Sequence, residues 1–420
     1  MLFSPDFLSL FEQTAWLLQA DPTVWCVSSW NDNGFTDLVS DADLGRLFRT
    51  DVFPGLGWML RRELWEELSP KFPLEHWDHW MRLASTHKGR DCIAPLVSRN
   101  YNIGVQGANM DTSQYRKYLE RIRHNKAFGI RLTEVRTALS APYEAYLSAL
   151  VTQAARQHRS PKVSPKAAGP SAAPVLYTYT TDNFAQLARH FGIWQVPRGT
   201  HRNTAVIRWR ETTYVLASAR WSPYLPPELR EMPPVALSYV PAARGDSCTT
   251  ACERFTRSAE EGGSGRPHIC TTRLFEFANQ VEQLAAHFPC EKGFATVTGP
   301  DIPNYVVDPT DQYSGRCLIS EGGWTCAAKH AHTRRLCACL DPGIPEPDPA
   351  TAATAAAAAV GSAASELDGM RGHGAFGDGA RGDGVQAVPS LSSPPRQQTS
   401  GRTRRKLVPL ISSLRTEDVE

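Results

Sequence analysis

The chain reads WCVSSWNDNG at residues 25–34, FPGLGWMLRRELWEEL at 53–68 and EHWDHWMR at 75–82. The first stretch opens as an apolar, aromatic run, Trp25 to Trp30, and is cut off by Asn31-Asp32-Asn33-Gly34. That is the pattern of a buried strand ended by a turn. Phe53-Pro54-Gly55-Leu56-Gly57-Trp58 reads as a tight loop. A helix through Met59, Leu60, Leu64, Trp65 and Leu68 follows, stopped by Pro70 and Pro73, and a second begins near Glu75. Strands, turns and helical periods thus alternate over short distances, which points to a mixed α/β arrangement.

Outward from this centre, the first twenty residues predict an amphipathic helix. Ser4 is placed as its N-cap, Pro5 in its first turn, and Phe7, Leu8, Phe11, Ala15 and Leu18 on one face. Asp6 and Glu12 interrupt the apolar run and no basic segment precedes it, so it does not read as a secretory signal. No apolar stretch approaches the length of a membrane span. Residues 1–155 form the first region, and 156–174, rich in Pro, Ala, Ser and Lys, are expected to be a linker. A small α/β unit is placed at 175–240, with strands at 175–180, 205–209 and 214–216 and a helix through Phe184 to Phe191 ended by Gly192. Residues 246–341 hold eight cysteines. Residues 342–420 are so rich in Ala, Gly and Pro that a disordered tail is expected.

With 45 basic and 43 acidic residues in 420, the net charge is +2, which gives no reason to expect nucleic acid as a partner. Ten cysteines are the stronger bulk signal. They read as disulfides in an oxidising compartment or as zinc ligands in a reducing one. Cys337 and Cys339 stand one residue apart and no C-x-x-C pair occurs, a spacing that suits zinc poorly.

The three opening stretches, with GRDCIAPLVSRNYNIGVQGANM at 89–110 and DNFAQLARHFGIW at 182–194, closely resemble the β-1,2-N-acetylglucosaminyltransferases of glycosyltransferase family thirteen. That is the family of N-acetylglucosaminyltransferase I and of the protein O-mannose enzyme. Collinear similarity covers about residues 1–230. The cysteine segment, notably GRCLISEGGWTCAAKHAHTRRLCACL at 315–340, resembles the C-terminal end of the N-acetylglucosaminyltransferase V family. That resemblance brings no catalytic residue with it. Substrate recruitment and plain stabilisation are both open for this module.

The first resemblance implies part of a GT-A nucleotide-sugar domain, with its N-terminal strands missing. It also implies inverting transfer of N-acetylglucosamine from UDP-N-acetylglucosamine to the 2-hydroxyl of a mannose. The glycans of N-linked glycoproteins are the implied acceptors, O-linked mannose the alternative, and a non-catalytic glycan-binding protein the reading from another class. Mn²⁺ is the implied cofactor, the Golgi the implied location, and a membrane anchor is implied for the whole protein.

Residue by residue, the resemblance places the general base on Asp78, in Trp77-Asp78-His79-Trp80. A carboxylate between two indoles is expected to bind its proton more tightly than an exposed one. Read from the residues alone, Asp78 caps a helix containing Met81 and Leu83. The family has a second acidic residue where His79 stands. Leu56 and Trp77 are placed against the donor sugar, although Gly55-Leu56-Gly57 also reads as an ordinary tight turn. Gly107 and Asn109 are placed in a loop that closes over the donor, with Asn109 where the family has serine, and Arg82 in the same pocket. The resemblance pairs Cys26 with Cys92 in a disulfide; buried free thiols are the other reading.

Asn31-Asp32-Asn33 is read as a capped turn and no metal ligand is assigned within the chain. Aligned on the family, a Glu-Asp-Asp metal motif falls just ahead of Met1, as do the uridine-binding strands. The 420-residue chain alone is therefore expected neither to bind the donor nor to transfer sugar, as for a reading frame opened at an internal methionine.

Overall fold

A computed structural model of the chain describes residues 1–105, 111–165, 171–320 and 322–345. A two-residue strand, β1 (Leu2–Phe3), leads into helices α1 (Phe7–Thr14) and α2 (Leu17–Ala20), then strands β2 (Val24–Ser28), β3 (Leu47–Thr50) and β4 (Trp58–Met59). Helices α3 (Arg62–Leu68), α4 (Trp77–Met81) and α5 (Ala84–His87) precede β5 (Asp91–Pro95), β6 (Asn100–Tyr101) and α6 (Thr112–Lys117). The expected strand after Val24 is present. The expected helix through Met59 starts only at Arg62, because Trp58 and Met59 pair with Ser28 and Val27 as an edge strand.

β3, β5, β2 and β4 form one sheet in that order, with β2 and β5 parallel at its centre and both outer pairings antiparallel. Both central strands are buried along their whole length, as parallel neighbours covered on two faces must be. Leu17, Leu18, Val24, Val27 and Ile93 pack on one side of it. Trp25, Cys26, Phe53, Leu64, Leu68, Met81 and Cys92 pack together elsewhere on it. The register slips between Val24 and Cys26; such a bulge turns successive side chains from strict alternation, and here neighbours Trp25 and Cys26 share one cluster. Arg49, 1% exposed, locks this sheet: it donates to Asp91 and Asp21 and to the carbonyl of Ala138.

The first helix differs from its expected form. It begins at Phe7, and its buried positions are Leu10 and Thr14, while Leu8 is 75% exposed. The Asp6 carboxylate is occupied by Arg99 Nε and Asn125 Nδ2, both at 2.7 Å, and these bonds, not a serine cap, set the helix's rotation. Ser4 is buried instead, its amide donating to the Arg99 carbonyl as β1 pairs with β6.

Helix α7 (Ser140–Ala155), strand β7 (His158–Arg159), β8 (Val175–Tyr179), α8 (Thr181–Phe191), β9 (Thr204–Trp209) and β10 (Thr212–Ser218) make a second layered unit. Its sheet runs β7-β8-β10-β9. α7 lays Val151 and Ala154 against Leu176, Val215 and Ala217. α8 lays Phe184, Leu187 and Phe191 against Tyr177, Tyr214 and Leu216. The two sets alternate along β8 and β10, so each helix takes one face of the sheet. The second core is continuous with Trp30, Phe35, Tyr118 and Ile122, so it joins the first sheet's turn to the small sheet. β7 falls within residues 156–174.

Beyond it, β11 (Leu237–Pro241), α9 (Cys248–Arg254), β12 (Ile269–Cys270), α10 (Phe275–Ala278), α11 (Val281–His287), β13 (Phe294–Thr296), β14 (Asn304–Val306), β15 (Cys317–Ile319) and β16 (Thr333–Leu340) build the cysteine module around a sheet ordered β11-β16-β14-β15-β13. All ten cysteines are paired: Cys26–Cys92, Cys248–Cys337, Cys252–Cys339, Cys270–Cys326 and Cys290–Cys317. Cys248 and Cys252 lie one turn apart on α9 and Cys337 and Cys339 two apart on β16, so the close spacing that argued against zinc staples a helix to a strand. The module is seated on the small unit through Glu276 of α10, which accepts from Arg220, from the Trp221 indole and from the amide of Thr181. Among the described residues no helix is long and apolar enough to cross a membrane. The expected disordered tail lies beyond Pro345, outside the described residues apart from its first four, 342–345.

Candidate active site

α4 has five residues and is oriented by its aromatic side. The Trp77 ring packs among Phe53, Trp58 and Phe72, with centroids 6.1–6.2 Å away. Trp80 meets the Phe72 edge at 5.7 Å, and Met81 is fully buried over the Cys26–Cys92 cluster. With those three packed against the core, Asp78 and Arg82, four residues apart, share another side of the short helix.

Arg82 donates to Asp78 Oδ2 at 2.9 Å and, through Nε, to the Phe53 carbonyl at 3.1 Å. One guanidinium thus joins the carboxylate to the start of the glycine loop. Burial raises the proton affinity of Asp78, but the charge and hydrogen bond of Arg82, with help from His79, outweigh it, and the carboxyl sits below its ordinary range. This reverses the expectation of a tightened proton. The indoles pack away from the carboxylate, which is 34% exposed and salt-bridged. The helix ends at Met81, so Leu83 lies outside it, and Asp78 occupies its second position.

The loop above needs its glycines. Gly57 has φ +65°, and a Cβ there would stand 2.9 Å from Asn100 Nδ2 and closer still to Ser29 Oγ. Its carbonyl accepts from the Ser29 amide at 2.7 Å, tying the loop to the end of β2. Gly55 is required by its φ of +89° rather than by space, since a Cβ there would meet only the Arg82 guanidinium, at an ordinary 3.9 Å. Between them Leu56 packs on the continuous core that includes Trp30.

Asn31-Asp32-Asn33 is the turn the sequence indicated: Asn31 Oδ1 accepts from the Asn33 amide at 2.9 Å. It has a second property that sequence reasoning missed. Burial pushes the Asp32 carboxyl above its ordinary range, more than Arg198, then Arg82, and the Trp30 indole hydrogen bond pull it down, and the charge of Asp78 adds to the rise. Asp32, Asp78, Arg82 and Arg198 therefore share one electrostatic environment. The only signal in the sequence was a turn-forming Asp placed between indole-rich runs, and Arg198 lies 165 residues beyond Asn33, whose side chain donates to its carbonyl.

The structure thus brings Asp78 and Arg82 into contact and sets Leu56 and Trp77 on neighbouring packing clusters. Gly107 and Asn109 lie outside the described residues. Cys26 and Cys92 are bonded, as the resemblance implied. Among the described residues no group of three or more His, Cys, Asp or Glu is placed to hold a metal ion.

The sequence model of the GNT-I family matches residues 1–226, more than half the chain and all of the elements just described. The chain belongs to the GNT-I family. The GNT-I region ends before the cysteine module, which the family match does not include. Alpha-1,3-mannosyl-glycoprotein 2-beta-N-acetylglucosaminyltransferase of Arabidopsis thaliana is 37% identical over 221 residues, covering 51% of this chain and 49% of the relative. The chain thus spans about half the length of that GNT-I protein.

Proposed function

We propose that this chain carries the general-base side of an inverting N-acetylglucosaminyltransferase that uses UDP-N-acetylglucosamine and acts on mannose of N-linked glycans. Membership of the GNT-I family and the name of the Arabidopsis relative support the reaction class and the acceptor. The observation that carries the reading is the Asp78 carboxylate, partly exposed and held by an Arg82 that also reaches the Phe53 carbonyl at the start of the glycine loop, rather than used as a helix cap.

In this reading the mannose 2-hydroxyl attacks the anomeric carbon as its proton passes to an Asp78 carboxylate oxygen. The bond to the UDP oxygen breaks, and the electron pair leaves with the diphosphate, inverting the centre. Asp78, held below the ordinary carboxylate range, is ionised throughout the neutral range and ready to accept. Arg82 keeps it in place through its second bond to the Phe53 carbonyl. Leu56 and Trp77 form apolar wall, and the segment with Gly107 and Asn109 belongs to the donor side. The GT-A architecture and a Golgi location are part of the same proposal. The Mn²⁺ expected for the family finds no ligand set among the described residues, so no step is assigned to it here.

The test, made in a full-length protein of the family that carries this sequence, is Asp78→Asn, which keeps the shape and the hydrogen bond to Arg82 while removing the base. Transfer to a mannose-terminated N-glycan acceptor is expected to fall by about a hundredfold or more, the usual contribution of a positioned base. Full turnover in that variant sinks the assignment.

A further inference from the structure

The loop that carries Phe53, Gly55 and Leu56 leaves β3 at Asp51 and ends at Gly57. One segment of the small unit, residues 194–202, is bonded to its start and to the turn that adjoins its end. At the start, the Asp51 carboxylate accepts from Thr200 Oγ1 at 2.9 Å and from the Arg202 amide at 2.7 Å, and the Asp51 amide donates to the Thr200 carbonyl at 3.0 Å. At the end, Gly57 is bonded to Ser29, and the turn that follows Ser29 is pinned by Trp194 and Arg198. Trp194 Nε1 donates to the Asp32 carbonyl at 2.9 Å, and Asn33 Nδ2 donates to the Arg198 carbonyl at 2.8 Å. Leu56 packs on the same core cluster as Trp194. The segment is itself held fast. Arg202 and Asn203 form the tip of a tight hairpin with φ of 46° and 59°, a conformation that arginine rarely adopts. Such strain persists where the surroundings over-determine it. Here the Arg202 amide is committed to Asp51, and Arg202 Nε and His201 Nε2 both stand 3.0 Å from Glu144 Oε1 of α7.

We propose that residues 194–202 are a brace, with Thr200 as a positioning residue: by fixing Asp51, the small unit sets where the Phe53 carbonyl stands, and that carbonyl aims Arg82 at Asp78. The proposal rests on the reading of Asp78 as the base and adds to it the part of the fold that holds the base's partner in place. Every step is a bonded one. Val52 alone separates Asp51 from Phe53, and it has little slack, since its amide donates to Thr50 Oγ1 at 3.1 Å and its carbonyl accepts from the same hydroxyl at 3.2 Å. The Phe53 carbonyl accepts from Arg82 Nε at 3.1 Å, and Arg82 Nη1 donates to Asp78 Oδ2 at 2.9 Å. A guanidinium forks in fixed geometry, so anchoring Nε decides where Nη1 points. A rival account is that the buried Phe53 ring, packed on Trp25 and Trp58, fixes the carbonyl by itself.

The experiment follows hydrogen exchange at arginine Nε–H groups by heteronuclear NMR in the whole chain, with the Arg82 resonance assigned by its loss in Arg82→Lys. Arg99 Nε–H, bonded to the buried Asp6 carboxylate, reports global opening in the same spectra. Thr200→Val keeps the size of the side chain and removes the hydroxyl given to Asp51. Exchange at Arg82 is expected to quicken about tenfold, the weight of one buried hydrogen bond, with Arg99 unchanged. Asp51→Asn, which puts an amide where one accepting oxygen stood, is expected to act in the same direction. Thr200→Ser keeps the hydroxyl and is expected to leave both rates at the wild-type value. An unchanged Arg82 rate in Thr200→Val and Asp51→Asn overturns the proposal in favour of ring packing. Equal quickening at Arg82 and Arg99 also overturns it, as does equal quickening in Thr200→Val and Thr200→Ser. The measurement needs no turnover. If the rates move as expected while Asp78→Asn retains full transfer in the full-length protein, the brace stands and the assignment of the base falls.

Discussion

Arg82 is the residue on which the chemistry of Asp78 turns. It supplies both the charge and the hydrogen bond that overcome burial. Removing it as Arg82→Met leaves burial opposed only by His79, so the proton affinity of Asp78 rises. Because the proposed base acts as the carboxylate, the acid limb of kcat/KM is expected to move to higher pH in this variant of the full-length protein. An unmoved limb in a pH–rate profile contradicts the assignment. Gly57 makes a separate, purely steric prediction. Alanine there meets Asn100 and Ser29 and is held at a positive φ, so Gly57→Ala is expected to destabilise the fold by about 3 kcal/mol in denaturant melts. What the sequence revealed at this scale follows from range. Glycine needs and the turn at Asn31 are local and were readable. The proton affinity of Asp78 was not, because it depends on an arginine one turn away being aimed at it rather than at solvent, and that aim is fixed by the distant Phe53 carbonyl.

At the scale of elements, β3 is held in its sheet by more than ladder bonds. Arg49 reaches two carboxylates and a carbonyl from three neighbouring segments without touching water. Arg49→Met leaves Asp21 and Asp91 buried without their partner and is expected to cost about 3–5 kcal/mol by chemical unfolding. Burial raises the proton affinity of Asp21, but hydrogen bonds from Thr23 and Arg49 bring it below its ordinary value. A depressed carboxyl adds stability above the unfolded-state value, and that stability is lost as pH falls through the folded-state value. The wild type is therefore expected to lose stability below about pH 4, and Arg49→Met to show a shallower loss. Element existence was legible where periodicity was strong, as in α8 ending at Gly192 and β2 ending at the Asn31 turn. Rotation of α1 was not, since Arg99 and Asn125, about a hundred residues away, decide which side faces inward.

For the whole molecule, eight cysteines in one module offered too many pairings for the sequence to choose between, and folding selects one set. Cys248–Cys337 and Cys252–Cys339 close nearly the same loop, with separations of 89 and 87 residues. Chain entropy is lost mostly at the first closure, so replacing Cys252 and Cys339 together by alanine is expected to cost well under the roughly 4–5 kcal/mol of a lone loop of this length. Thermal unfolding of the double variant checks it; a loss of the full amount refutes the shared-loop account. Glu276 has a practical corollary for anyone who trims genes. Its carboxylate is the socket into which Arg220, Trp221 and the start of α8 plug, so a shortened version ending near residue 241 would bare an indole and a cation that water must then cover. Expression of the GNT-I region by itself would call for Arg220 and Trp221 to be redesigned as surface residues, much as a wall once shared by two houses has to be weatherproofed when one is pulled down.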